Sequence, residues 1–402
     1  MYRRCICLLS AFAAAGMAQD ADMHRMHHMN RAGMYLMNMS SGTSMNPYSW
    51  QTPMRMTEAG NWSLMFMGQA FLIDTQQSGP RGGDKLYSAN WFMAAGEHTL
   101  AGGSIMFTAM VSLDPATVTN RSYPLLFQTG ETAYGRPLVD AQHPHDFIMA
   151  ISAQYAHRAG RDTMLQFYYA PVGDPALGPV AFPHRASAFE LPQATLGHHW
   201  QDSTHIADNV ATIAVRHQWL RLEASGFHGA EPDENRWNID WGGMDSYSGR
   251  VSVAPTQNWM AQFSAGRLTH PERQEPGDVV RATASLAYTR GGWSSTLIWG
   301  RNHQTNGNRN LNSYLAETLL PLSRRNFVTG RLELVDKDEL AIPGAYRIQA
   351  YTGGYTRDVE IFPRLQTGIG ANLTAYAIPG ALQPHYGTHP WGINLYVRVR
   401  LR

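Results

Sequence analysis

Cysteine is nearly absent from this chain of 402 residues: there are two, Cys5 and Cys7. Both lie in the opening stretch MYRRCICLLSAFAAAGMAQDAD, where Arg3 and Arg4 precede an apolar run at 5–15 and small residues at 16–18. That pattern predicts a secretory signal over 1–18, cut after Ala18. Its removal leaves no thiol, which excludes disulfides, thiolate catalysis and thiolate metal sites. Charge is scarce as well: Asp, Glu, Lys and Arg make up 16%, against roughly 25% in soluble domains. The net charge of +1 gives no electrostatic case for a nucleic-acid partner. Beyond the signal there is no run of about 18 apolar residues, so no membrane-spanning helix is expected.

What the chain does have is glycine, with 37 residues, aromatics at 11%, and alternation. In GINLYVRVRLR at the C-terminus, Ile393, Leu395, Val397, Val399 and Leu401 share one face, while Asn394, Tyr396, Arg398 and Arg400 share the other. A period of two is the mark of a strand with unlike faces. VVRATASLAY at 279–288 and NFVTGRLELV at 326–335 alternate in the same way. Strands are predicted near 61–73, 85–95, 98–112, 145–157, 162–171, 204–216, 219–229, 245–254, 258–269, 279–289, 292–302, 311–320, 325–335, 345–356, 362–376 and 391–402. Ten or more residues suit a tilted strand crossing a bilayer and are roughly twice the usual globular length. Short connections, such as 96–97, 158–161 and 217–218, alternate with long ones, such as 113–144, 172–203 and 230–244. Short inner turns and long outer loops mark an antiparallel transmembrane β-barrel of the bacterial outer membrane. About sixteen strands are expected, within a range of 14–18, over residues 61–402. Trp62, Trp219, Trp259, Trp293 and Trp391 fall near strand ends, as interfacial girdles require. The last residues, RLR, lack the terminal aromatic common in such barrels.

If the apolar set faces lipid, the other set lines the lumen. It includes Arg221, Glu223, Arg250, Arg281, Arg331, Glu333, Arg347, Arg398 and Arg400, because an arginine in the lipid midplane costs about 2–4 kcal/mol. Two arrangements fit: a polar channel that passes solutes, or arginines and glutamates that pair and brace the wall.

Two histidine-rich stretches flank predicted strands at the outer rim: DAQHPHD (140–146) and LGHHWQDSTH (196–205). His143, His145, Asp146, His198, His199 and His205 are candidate ligands for zinc, copper or nickel, which take imidazole and carboxylate. Their strands lie two sheet spacings apart, roughly 10 Å, so they share an ion only if the long loops fold inward. The alternative is a hydrogen-bonded network that pins those loops. A third candidate set lies in residues 19–60, read as a flexible arm or a plug: Met23, His24, Met26, His27, His28, Met29, Met34, Met37 and Met39. Thioethers are soft ligands that favour Cu(I), and methionine spacings of two and three let one ion collect several. Methionine also serves as plain apolar filler.

The stretches LVDAQHPHD, GPVAFPHRASAFELPQATLGHHWQDSTHI and EPDENRWNIDWGGMDSYSGR, with the later DKDEL, resemble an uncharacterised family of bacterial outer-membrane β-barrel proteins, over about residues 60–402. The resemblance implies an exported barrel and little about its substrate. The composition of residues 20–56 is similar to the arm of the outer-membrane copper-resistance B family, which implies copper as a possible cofactor. The functional expectation is a barrel that binds or conducts metal ions in copper handling, with a general or solute-specific porin as the alternative. Its partners would be outer-membrane lipid and a metal ion or small solute. An enzyme is not expected: Asp202 and Ser203 are adjacent, so on a strand they would point apart and not converge with His205, and no nucleophile elbow is present.

Overall fold

The computed structural model describes residues 29–272 and 276–401. The predicted signal, with Met23, His24, Met26, His27 and His28, lies outside the described residues. The described part begins with a helix, α1 (Arg31–Met37), capped by the Asn30 side chain, which accepts from the Gly33 amide. Two short strands, β1 (Met39–Ser41) and β2 (Ser44–Met45), form a small hairpin, and β3 (Arg55–Ala59) follows.

Sixteen long strands then close into an antiparallel barrel. They are β4 (Trp62–Gln77), β5 (Asp84–Leu100), β6 (Gly103–Val111), β9 (Ile148–Arg158), β10 (Thr163–Gly173), β11 (Ala207–His217), β12 (Leu220–Phe227), β13 (Ser246–Thr256), β14 (Trp259–Leu268), β15 (Val279–Arg290), β16 (Trp293–Gln304), β17 (Arg309–Ser323), β18 (Asn326–Lys337), β19 (Tyr346–Val359), β20 (Leu365–Ala377) and β21 (Trp391–Leu401). Neighbours follow chain order, and β21 returns to pair with β4. Closure leaves no bare edge, so every ladder amide has a partner inside a bilayer. On that last seam β21 pairs with residues 69–77 of β4, and β3 with residues 62–66. A separate hairpin, β7 (Tyr123–Ala133) and β8 (Arg136–Gln142), stands in the loop between β6 and β9.

The alternation holds strand by strand. On β21, Leu395 and Val397 are exposed while Asn394, Tyr396, Arg398 and Arg400 are buried. Exposed Phe92, Phe167, Ile213, Leu222, Val251, Phe263, Leu297 and Leu373 carry the same pattern around the wall. Such a continuous apolar belt on the outside is what lipid selects. Trp259, Tyr288 and Trp293 meet at one rim, with ring centroids 4.7 and 5.2 Å apart, as part of an aromatic girdle. No helix among the described residues is long and apolar enough to cross a membrane.

Two expectations need correction. The turn placed at 96–97 lies at 101–102, where Gly102 adopts φ +72°. Gly96 is an ordinary strand residue opposite Leu64. Arg347, expected in the lumen, faces outward at the outer rim and pairs with Asp336 at 2.8 Å. The inward positions beside it are Ile348 and Ala350, both buried.

The barrel is filled by its own chain. Residues 29–54 pack inside the wall near the short turns. There Arg31 donates to the Arg161 carbonyl and the Ser49 amide to the Gln257 carbonyl. Met29, Ala32, Tyr35 and Leu36 pack on Met65, Ala95, Met106, Ala156 and Met164 from the inner wall. At the opposite end, Leu125, Leu126 and Phe127 of β7 cluster with Trp200, Tyr376 and Tyr386.

Candidate functional site

Between these two fillings runs the connection from β10 to β11. Every residue from Val172 to Asp208 is buried. The segment contains Pro175, Gly178, Pro179, Pro183, Pro192 and Gly197, which disfavour any continuing strand or helix. Its backbone carbonyls and amides therefore need other partners inside the barrel. The wall supplies them. Arg250 donates to the Gly178 carbonyl at 3.1 Å, and Arg331 to the Gln193 carbonyl at 3.0 Å. Glu333 accepts from the Leu196 amide at 2.6 Å, and Arg400 donates to the Phe189 carbonyl at 2.9 Å. Charged pairs complete the anchoring. Arg185 of the segment bridges Asp202 and Glu317, each at 3.0 Å. Glu190 receives Arg398 and, at 3.0 Å, Arg400. Arg221, Glu223 and Arg250 hold Thr43 of the N-terminal filling. Eight of the expected lumen residues thus point inward and brace inserted chain, Arg281 by donating to the Ser203 hydroxyl at 2.8 Å while also lining a polar cavity.

This inward fold brings the two histidine stretches together. The short helix α2 (His198–Gln201) and the 3-10 turn Ser203–His205 carry one set, and the segment after β8 carries the other. The rings form a chain: His143 to His199 at 6.0 Å, His199 to His198 at 5.4 Å, His198 to His205 at 5.2 Å, and His205 to His145 at 5.7 Å between centroids. Phe182 packs against His145, His198 and His205. Asp146 stands apart, held by Arg236 at 3.3 Å.

Most of these imidazoles have one nitrogen already held. His145 Nδ1 lies 2.8 Å from Asp114, His198 Nδ1 2.7 Å from Asp202, and His205 Nδ1 2.8 Å from the Asp202 carbonyl. Such acceptors take a proton from Nδ1, which leaves Nε2 with its lone pair; metal-binding histidines are oriented in this way. Burial keeps several of them neutral. It pushes His143 down to about 3, with His199 adding repulsion. It pushes His184 down to about 4 and holds His205 well below its ordinary value. His198 is lowered by the same burial despite the pull of Asp202.

His199 differs from the rest. Neither of its ring nitrogens, and neither oxygen of Glu231, has a hydrogen bond of good geometry, although all four atoms are buried and Ser203 also lies close to Glu231. An unmet buried polar group costs about 1–3 kcal/mol. His199 Nδ1 lies 3.3 Å from Glu231 Oε2, poorly aligned for a hydrogen bond, and 3.6 Å from Glu272 Oε1, too far for one. Glu272 was not legible as a candidate: its surroundings, THPERQEP, carry no ligand spacing, and only the meeting of loops places it here.

The methionines make a second cluster. Met37 and Met39, with Met54, line a cavity of about 60 Å³ against Met65, Met67, Met93, Met106, Met110 and Met149 of the inner wall, with His184 and His205 at its edge. Met29 is buried nearby, and Met34 is exposed.

No family model matches the chain, and no curated protein does. Solved structures do. An anion-selective porin from Comamonas acidovorans superposes with a TM-score of 0.54 at 13% identity, covering 85% of this chain and 100% of that one. The OmpF of Salmonella typhi, solved with daunomycin, gives a TM-score of 0.55 at 7% identity, with 86% and 100% covered. At such identities the likeness establishes the fold: this chain folds as outer-membrane porins do.

Proposed function

We propose that the chain is a porin-type protein of a bacterial outer membrane that passes small solutes through a narrowed lumen. The observation that carries this reading is the buried segment 174–206, a polar, charge-anchored constriction inside a closed sixteen-stranded wall. In a barrel of this size the wall alone encloses an aqueous channel, so the inserted chain sets what passes. Arg185, Arg331, Arg398 and Arg400 at the insertion are matched by Glu190, Asp202, Glu317 and Asp358, which favours selection by size over selection by charge. Conductance of the full-length protein in planar bilayers tests it. Small, discrete steps that do not require added metal are expected. A folded protein that inserts and gives no steps would sink the reading.

Copper handling is a second reading, favoured by the methionine cavity. Wall and inserted chain both contribute thioethers to it, where leucine or isoleucine would fill space equally well. Thioethers suit Cu(I), and two histidines border the same space. Calorimetric titration with Cu(I) should show uptake that falls in a Met67→Leu, Met110→Leu double variant. Equal uptake by both proteins would make these methionines ordinary packing.

A further inference from the structure

We infer that His199, Glu231 and Glu272 form a binding site for a borderline divalent cation, zinc(II) being the type case, at the outer end of the lumen. This goes beyond solute passage and does not depend on it. One ligand atom from each residue lies within 4.8 Å of the other two. The three come from separate connections: the buried segment, the loop after β12 and the loop after β14. An ion there would tie together three outer loops.

The atoms are prepared for a ligand of positive charge. Both Glu231 oxygens and the His199 nitrogens are buried without well-aligned hydrogen bonds. The far side of the ring is closed off by backbone: a Cβ on Gly130 would stand 2.4 Å from His199 Nε2. That leaves Nδ1 as the available donor, and Nδ1 is the atom that faces both carboxylates. A polar cavity of about 180 Å³ opens beside it, lined by His199, Glu272, Arg281 and Asn302 among others. It gives an ion a route in and room for a water as fourth ligand. One imidazole and two carboxylates suit zinc and its neighbours. Calcium takes six to eight oxygens, which this set does not offer. The competing arrangement is an imidazolium between two carboxylates, with Arg281 as a further positive charge. Its N–H groups would then point at acceptors, and they do not.

The test is a zinc(II) titration of the detergent-purified full-length protein, read by calorimetry with calcium present. Glu231→Gln, Glu272→Gln and His199→Ala are run beside it. Glu272 sits at the cavity edge, so its variant keeps the test alive if the more buried changes fail to fold. Any zinc taken by His24, His27 and His28 is common to all four proteins, so the difference is the readout. We expect each folded variant to lose one equivalent, or to bind it more weakly by at least the roughly tenfold that loss of an outer-shell partner costs a metal site. Unchanged uptake in a folded Glu231→Gln or Glu272→Gln overturns the site, as does a wild type that binds nothing. Conductance is measured separately, so the fate of the porin reading is distinguishable from this one.

Discussion

At the scale of single residues, the inserted segment depends on a few buried charges. Glu190 is the sharpest case, because it faces Arg398 and Arg400 together and all three are buried. Glu190→Ala leaves Arg400 without a carboxylate and Arg398 with Asp358 alone. Breaking a buried pair costs about 3–5 kcal/mol, and the expected loss is of that size. Urea unfolding in detergent, followed by the change in electrophoretic mobility of the folded barrel, measures it. A loss within the scatter of surface substitutions would mean that the segment is not anchored there. The histidines predict a pH dependence. His143 is neutral when folded down to about 3, whereas an unfolded imidazole takes a proton near pH 6.5. Between those values the unfolded chain binds more protons, so this residue's contribution is complete above about pH 6.5 and fades as pH falls. His143→Gln has no such titration. The stability of wild type relative to that variant should therefore fall as pH drops from about 6.5 to about 4. A constant difference would show that His143 protonates freely in the folded barrel.

At the scale of elements, α1 and the chain around Thr43 occupy the half of the lumen nearest the short turns. Deleting residues 29–50 removes this filling and leaves β3 to complete the seam with β4. Conductance per channel should rise severalfold. Equal conductance would mean that solute does not pass on that side. The same elements show what the sequence could disclose. Lipid imposes one rule on every outward position, so Leu395, Val397, Arg398 and Arg400 could be assigned their faces from alternation alone. The rule weakens at the rim, where the outward position is no longer in hydrocarbon. Arg347 is tolerated there beside Asp336, and so alternation misplaced it. The inward path of segment 174–206 has no periodic signature. Its course depends on partners scattered over β13, β17, β18 and β21, such as Arg250, Glu317, Arg331 and Arg398. That is why the sequence leaves the meeting of His143 with His199 open, and why no spacing marks Glu272.

At the scale of the whole molecule, the fold is inside out relative to a soluble protein. Its lumen holds paired charges and inserted chain, and its outer wall is apolar. The mean hydropathy of −0.33 is that of a polar chain, because apolar residues are spent on one face of each strand. The outer wall is therefore where a charge should do most harm. Leu297 is 54% exposed on β16, and its cross-strand neighbours are Leu286 and Ala316. In water, Leu297→Arg at so exposed a position would fall within about 0.5 kcal/mol of neutral. In a bilayer the same change costs about 2–4 kcal/mol near the midplane. Tyr134→Arg, at the exposed tip of the β7–β8 hairpin, carries the same charge into solvent and should cost no more than the exposed cation–π contact with Arg121 that it gives up, about 0.5–1 kcal/mol. Both variants are to be folded into lipid vesicles and titrated with urea. A large loss for Leu297→Arg alone identifies the belt as lipid-facing. Equal small effects would place the barrel wall in water and remove the premise on which the conduit reading stands.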